Sequence, residues 1–284
     1  MKVLNYIFTI IFFLVFTNTG PAQIIGRCLD SLNQPLPFIN IALKNSPTGT
    51  VTDENGIFYF EKDLINTGDS LIISHIGYSK KTICVYNTDS IIVVLKPTEY
   101  KLKEINVSST EVIYQNEKMI GTKATTDHVV IGFTSHQLGT EIGKLINVKK
   151  GKMYKVEKVF FTISHFDFKK ATLRINFYNV DEERNAETER VNVNDFIKEV
   201  NNNESVEINV AKEGLLFEND FLVSVEWIDF IHKDSMEIKK DYNLFINSSV
   251  FSGPYFRRSN NTMKWRNNKV KYNLGLGIQL LVKY

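Results

Sequence analysis

Between residues 23 and 97 short apolar stretches follow one another with turn-forming residues between them, and none holds a sustained helical period. Strands are predicted over 24–29, 38–44, 48–52, 57–60, 70–76, 80–85 and 90–95. In the second of these Phe38, Asn40 and Ala42 alternate with Ile39, Ile41 and Leu43, the period of a strand with two different faces. Pro35 and Pro37 fix φ and remove backbone donors, so 30–37 is a connection or an edge. Asp53-Glu54-Asn55-Gly56 reads as a hairpin loop in which Asn-Gly supplies positive φ. The run from Ile91 through Ile92, Val93 and Val94 to Leu95 is apolar on both faces and reads as a central strand.

A polar, lysine-containing stretch over 98–126 reads as a linker. Strands resume over 128–134, 144–148, 154–164, 171–179, 205–210, 221–230, 242–247 and 270–284. Thr172, Arg174 and Asn176 alternate with Leu173, Ile175 and Phe177, which predicts one wet face and one packed face. Residues 195–200 read as a short helix inside a polar insert at 181–204. About eight strands with long connections predict a jelly-roll-like β-sandwich over 127–284, so the chain as a whole reads as all-β. In the last strand Leu274, Leu276, Ile278, Leu280, Val282 and Tyr284 alternate with more polar neighbours and end on an aromatic residue, as in the closing strand of a small outer-membrane barrel. A half-buried sandwich strand gives the same pattern, and the shorter, charge-bearing strands elsewhere favour the sandwich.

The N-terminus changes the compartment. Lys2, an apolar run over 6–16 and Gly20-Pro21-Ala22 read as a signal peptide over 1–22, cut between Ala22 and Gln23. The apolar run is short for a membrane span, which needs roughly 20 residues. The two cysteines, Cys28 and Cys84, lie where an oxidising compartment permits pairing, but two separately buried thiols are the favoured reading. The 284 residues leave room for two domains, and 43% hydrophobic content supports real cores. Lys plus Arg is 34 against 32 acidic residues, a balance that argues against whole-protein attraction to nucleic acid or anionic lipid.

The first half also carries a family resemblance. Gly26-Arg27-Cys28-Leu29-Asp30, then Pro35-Leu36-Pro37 with Asn40, then Thr52-Asp53-Glu54-Asn55-Gly56-Ile57-Phe58, then Ile76-Gly77-Tyr78 follow in the order of the carboxypeptidase regulatory-like domain. Residues 23–97 resemble that domain. The resemblance implies a seven-stranded Greek-key, transthyretin-like sandwich with a structural or interaction role. It also implies a Gram-negative envelope setting, in the periplasm, at the outer membrane or at the cell surface, because the module commonly precedes the plug of TonB-dependent outer-membrane receptors. Leu102-Lys103-Glu104-Ile105-Asn106-Val107 resembles the short strand that comes after the module there. The remaining stretch of this chain is too short for a plug and a large barrel, so transport activity is not carried over.

The search for chemistry is mostly negative. No zinc-binding His-Glu-x-x-His, nucleophile elbow, phosphate loop or dinucleotide fingerprint is present, so no catalytic residue, metal ligand or cofactor is assigned. His128 and His136 are a weak metal pair with no third ligand in view, and the loop at Asp53 lacks the downstream Glu of a calcium site, with Ile65 in its place. One segment stands out. Residues 255–272 hold six cations among aromatics and no acid, and Tyr255, Arg257, Arg258, Lys264, Trp265 and Arg266 are the candidate anionic-ligand residues. Export makes an acidic glycan or an envelope protein a better partner than nucleic acid. The plain alternative is a solvated loop whose aromatics cap the core. The sequence therefore predicts a non-catalytic binding or adaptor module of the envelope. A small outer-membrane barrel, a receptor-associated component and an unrecognised hydrolase are the alternatives, and a buried cluster of converging acid and base side chains would speak for the last.

Overall fold

The computed structural model describes residues 23–61, 64–86, 90–98, 114, 116–124, 126–134, 137–166, 168–231, 242–269 and 272–284. The expected signal peptide, the strand expected at 102–107, His136 and His232 lie outside them.

All seven strands expected in the first domain are present: β1 (Gln23–Leu29), β2 (Asn40–Leu43), β3 (Gly49–Val51), β4 (Ile57–Glu61), β5 (Ser70–Ser74), β6 (Lys81–Cys84) and β7 (Ser90–Val94). They form a three-stranded sheet, β4-β1-β7, facing a four-stranded sheet, β3-β2-β5-β6. Cys28, Phe58 and Val93 from the first sheet meet Ile41, Leu71 and Ile73 from the second in one apolar cluster. Gly26 lies opposite Phe58 in the β1–β4 register, and a Cβ there would stand 1.9 Å from the Phe58 ring, so only glycine admits that ring. The Asp53 side chain receives the N–H groups of Asn55 and Ile57, and Gly56 takes φ 72° to close the expected hairpin loop.

Two expectations for this domain need correction. β7 is an edge strand, paired in parallel with β1, and Ile92 is 71% exposed. Its two-sided apolarity reflects an uncovered outer face and not a central position. The cysteines are free. Cys28 faces the core, whereas Cys84 is exposed on β6 in the opposite sheet rather than buried.

The second domain comprises β8 (Glu117–Gly121), β9 (Val130–Thr134), β10 (Glu141–Ile146), β11 (Tyr154–Phe166), β12 (Lys170–Asn179), β13 (Phe196–Val200), β14 (Ser205–Asn209), β15 (Leu216–Phe217), β16 (Phe221–Ile231), β17 (Asn243–Ser249), β18 (Tyr255–Arg258), β19 (Arg266–Asn268), β20 (Gly275–Leu276) and β21 (Ile278–Lys283). A six-stranded sheet, β13-β12-β16-β10-β18-β19, packs on an eight-stranded one. The latter runs β20-β17-β11-β21-β8, with β14 and β15 also paired to β11 and β9 to β17. The fold is an all-β sandwich. Leu173, Ile175 and Phe177 of β12 meet Ile278, Leu280 and Val282 of β21 in the core, so the apolar face of the last strand points into the sandwich. β8, inside the stretch expected to be linker, pairs along β21.

The helix expected at 195–200 is β13, paired antiparallel with β12. Phe196 and Val200, on one face of β13, pack on the core, and that tertiary contact overrides a weak helical propensity. The face of β12 expected to be wet is buried as well, with Arg174 and Asn176 each 1% exposed. What covers them defines the site.

Candidate functional site

On the outer face of the six-stranded sheet four charged residues stand in one cross-strand row. Arg174 of β12 lies opposite Glu226 of β16, Glu226 opposite Glu141 of β10, and Glu141 opposite Arg258 of β18. The charges run plus, minus, minus, plus. Like charges directly opposite each other destabilise a sheet, and here three arrangements offset the repulsion. Arg174 binds Glu226 through Nε at 2.9 Å and Nη2 at 3.0 Å. Arg258 binds Glu141 through Nε at 2.8 Å and Nη2 at 2.5 Å. Between the acids the Asn176 amide donates to Glu226 at 2.8 Å and Glu141 at 3.3 Å. Ser224 and Tyr178 also donate to Glu141, at 2.5 and 2.8 Å.

The row is therefore neutral and its oxygens are occupied. Burial alone would raise the Glu141 carboxyl, but the Arg258 charge and the hydrogen bonds from Ser224, Arg258 and Tyr178 hold it below the usual carboxylate range. Burial drives the Tyr178 hydroxyl well above its ordinary value, so it remains a donor. This is a converging set of acids and bases, but one tied into reciprocal pairs.

The row is closed from two sides. From the first domain, the Phe38 carbonyl and the Asn40 side chain accept from Arg174 at 2.9 and 3.1 Å. His75 Nε2 lies 2.9 Å from Asp195, which also binds Arg190 at 2.6 Å. Burial would raise the Asp195 carboxyl, but the hydrogen bond from His75 and the charges of Arg174 and Arg190 lower it far below its ordinary range. Asn260 donates to the Ser46 and Thr48 carbonyls at 3.1 and 3.2 Å, and Asn261 to Ser74 at 2.7 Å. From the other side the Trp265 ring stacks on the Arg258 guanidinium at 4.6 Å and meets Tyr178 edge-on at 5.2 Å. Its Nε1–H donates to the Glu187 carbonyl at 3.1 Å, and Arg258 donates to that of Thr188 at 2.8 Å.

Two clefts flank this structure. One, of about 450 Å³, lies between the domains above the row, with Ile72, His75 and Tyr78 on one wall and Arg190 and Thr262 on the other. The second, of about 780 Å³, lies on the far side of Trp265, lined by Trp265, Phe256 and Pro254 together with Lys144, Lys264 and the amides of Asn147, Asn185 and Asn267.

The family model described as CarboxypepD_reg-like domain matches residues 24–107. The first domain is a CarboxypepD_reg-like domain. No curated protein matches the sequence. Among solved structures, the cysteine protease and lectin-like domains of Cwp84, a surface layer associated protein of Clostridium difficile, align at 10% identity with a TM-score of 0.41. That alignment covers 60% of this chain and 36% of the other. Carbohydrate-binding modules of the β-sandwich super family, described as promiscuous in specificity, align at 7% identity with a TM-score of 0.19, covering 76% of this chain and 84% of theirs. Scores this low transfer neither fold nor function.

The six candidate residues expected to bind an anion do not form one surface. Arg258 and Trp265 belong to the closed row behind the CarboxypepD_reg-like domain. Tyr255 packs on the sandwich core, and Arg257 points to that side too, donating to the Gly132 carbonyl at 3.2 Å. Lys264 and Arg266 are exposed, and of the two only Lys264 lines the larger cleft beside Trp265. His128 is exposed beside Asp127, and among the described residues no group of three or more His, Cys, Asp or Glu side chains is arranged to hold a metal. Sequence reading missed Glu141, Arg174 and Glu226 as a unit. A signal was present: Ser224 and Glu226 fall two apart inside an otherwise apolar strand, as Arg174 and Asn176 do in β12.

Proposed function

We propose that this chain is an exported, non-catalytic binding protein of the Gram-negative envelope, in the periplasm or associated with the outer membrane. In this reading the CarboxypepD_reg-like domain is a rigid adaptor that fixes the second sandwich in one orientation, and the second sandwich contacts a glycan or protein partner. The observation that carries it is Arg174, which closes the charge row on Glu226 and with the same guanidinium holds Phe38 and Asn40 of the first domain. Docking and internal charge balance are thus one network, as a positioning element requires.

The same network argues against hydrolysis. A general acid needs a carboxyl that is protonated and within reach of a substrate, whereas Glu141 is held ionised and Glu141 and Glu226 are each 1% exposed. The test is to isolate the exported protein, read its N-terminus by mass spectrometry and assay it against peptide and glycoside panels. The expected result is a chain beginning at Gln23 with no turnover. Hydrolysis abolished by Glu141→Gln or Glu226→Gln would replace this reading with the hydrolase.

A further inference from the structure

His75 sits where the two domains meet, immediately after β5, with its side chain 14% exposed. Its Nδ1 lies 2.8 Å from the Ile76 carbonyl and its Nε2 2.9 Å from the Asp195 carboxylate. A neutral imidazole has one N–H donor and one lone pair, whereas the protonated ring has two donors. The Ile76 carbonyl can only accept. Asp195 can only accept as well: burial opposes its charge, but the hydrogen bond from His75 and the charges of Arg174 and Arg190 keep it ionised. Only the doubly protonated ring gives both nitrogens a partner. In either neutral tautomer one lone pair is turned onto an oxygen.

The groups that face this ring come from both domains. Asp195, immediately before β13, is the acid in contact with it and is shared with Arg190 at 2.6 Å and Arg174 at 3.7 Å. From the first domain Tyr78 meets the ring edge-on at 6.0 Å, and Lys44 and Lys80 line the same cleft. From the second domain Glu189 lines it too, above the neutral charge row. Lys44, Lys80 and Glu189 are exposed, where water and salt screen them. Arg174 and Arg190 oppose a further positive charge, and Asp195 favours one. The charge on His75 is therefore supported by a residue of the other domain, and separating the domains would leave the ring in water without that support.

We propose that His75 is a proton-dependent latch between the two domains, closed on Asp195 while its ring is doubly protonated and weakened when it loses a proton. The proposal rests on the adaptor reading and gives that docking a regulation. A proton that docking favours also favours docking, so the latch is complete below the histidine range and is lost as pH rises through it. The other contacts between the domains, from Arg174 to Phe38 and Asn40, from Asn260 to Ser46 and Thr48, and from Asn261 to Ser74, contain no group that titrates in that range. They hold at either pH, so the latch tunes the docking of the adaptor and does not abolish it.

The experiment is a double-mutant cycle on the mature chain. Unfolding constants come from urea titrations of the wild type, His75→Phe, Asp195→Asn and the double variant, at about pH 5.5 and about pH 8.5, either side of the histidine range. The coupling between His75 and Asp195 should be about tenfold or more at the lower pH, as for a hydrogen bond between charged groups, and should shrink by about tenfold at the higher. His75→Gln, which keeps a neutral donor, should lose that pH dependence. If Asp195→Asn does not fold, the cost of His75→Phe at the two pH values decides alone, and it must be larger at the lower by the same factor. The control is the neutral pair across the same boundary, Ser74→Ala with Asn261→Ala, whose coupling should be equal at both. A coupling between His75 and Asp195 that is absent, or that does not change with pH, overturns the latch and leaves the adaptor reading standing if the Ser74–Asn261 coupling is present. Absence of both couplings means that the domains do not dock, and both readings then fall.

Discussion

Replacing Glu141 by Gln keeps the shape of the side chain and removes one charge from the row. One carboxylate oxygen accepts from Arg258 Nε and Nη2, and the other from Tyr178, Ser224 and Asn176. Whichever way the Gln amide turns, its NH₂ faces donors, and Arg258 is left buried without its counter-charge. Breaking a buried ion pair from one side costs about 3–5 kcal/mol, a large part of a stability of roughly 5–15 kcal/mol. In a domain of this size Tm should fall by roughly 6–20 °C. The loss should be partly recovered in Glu141→Gln/Arg258→Met, which removes both charges, so the double mutant should be more stable than the sum of the singles. The control is Glu207→Gln at the Lys158–Glu207 pair, whose side chains are 35% and 52% exposed, where a change below about 1 kcal/mol is expected. Because the folded Glu141 carboxyl lies below its unfolded value, its contribution is complete above the ordinary carboxylate pKa and disappears as pH falls through the folded one. Urea titrations at neutral and acidic pH read both effects. If Glu141→Gln costs no more than Glu207→Gln, the row is not a paired, desolvated network and the reasoning fails.

Asp229 is the opposite case: burial, with Asp53 and Glu54 of the first domain adding to it, pushes its carboxyl up to about 6 against the Phe230 N–H. The native state then binds the proton more tightly than the unfolded chain, so stability falls as pH rises from about 3.8 to about 6. Asp229→Asn should raise Tm above pH 6 and leave it unchanged below pH 3.8, and a stabilisation that is independent of pH would count against this origin. Cys84 is exposed, whereas burial pushes the Cys28 thiol up to about 12. A maleimide should therefore label Cys84 alone in the native protein and both cysteines in denaturant, and native labelling of Cys28 would mean the first sandwich opens readily.

How much was legible in the sequence depends on the reach of each signal. The seven strands of the CarboxypepD_reg-like domain are bounded by local chemistry such as Asn55-Gly56 and Pro35, which acts within a few residues and needs no tertiary context. β13 was misread because Ile197, Lys198 and Glu199 suit a helix, and only pairing with β12 makes 196–200 a strand. β7 was misplaced because apolar content on both faces measures hydrophobicity, while edge position depends on which strand arrives beside it.

The site was less legible for a related reason. Reading 255–272 as one basic cluster weighs charge by composition, whereas β18 obeys a period of two that sends Arg257 inward to Gly132 and Arg258 outward to Glu141. The same alternation puts Arg174 and Asn176 on the outer face of β12, and sequence correctly separates them from Leu173 and Ile175. It errs only in calling that face wet. A polar face is wet unless something covers it, and here the cover is a separate domain whose Phe38 and Asn40 reach Arg174 from more than a hundred positions away. Charged residues spaced two apart in a strand before a second domain are thus ambiguous between solvent and interface. Partners resolve the ambiguity: on a solvated face each charge answers to water, whereas here Arg174, Glu226, Glu141 and Arg258 answer to one another.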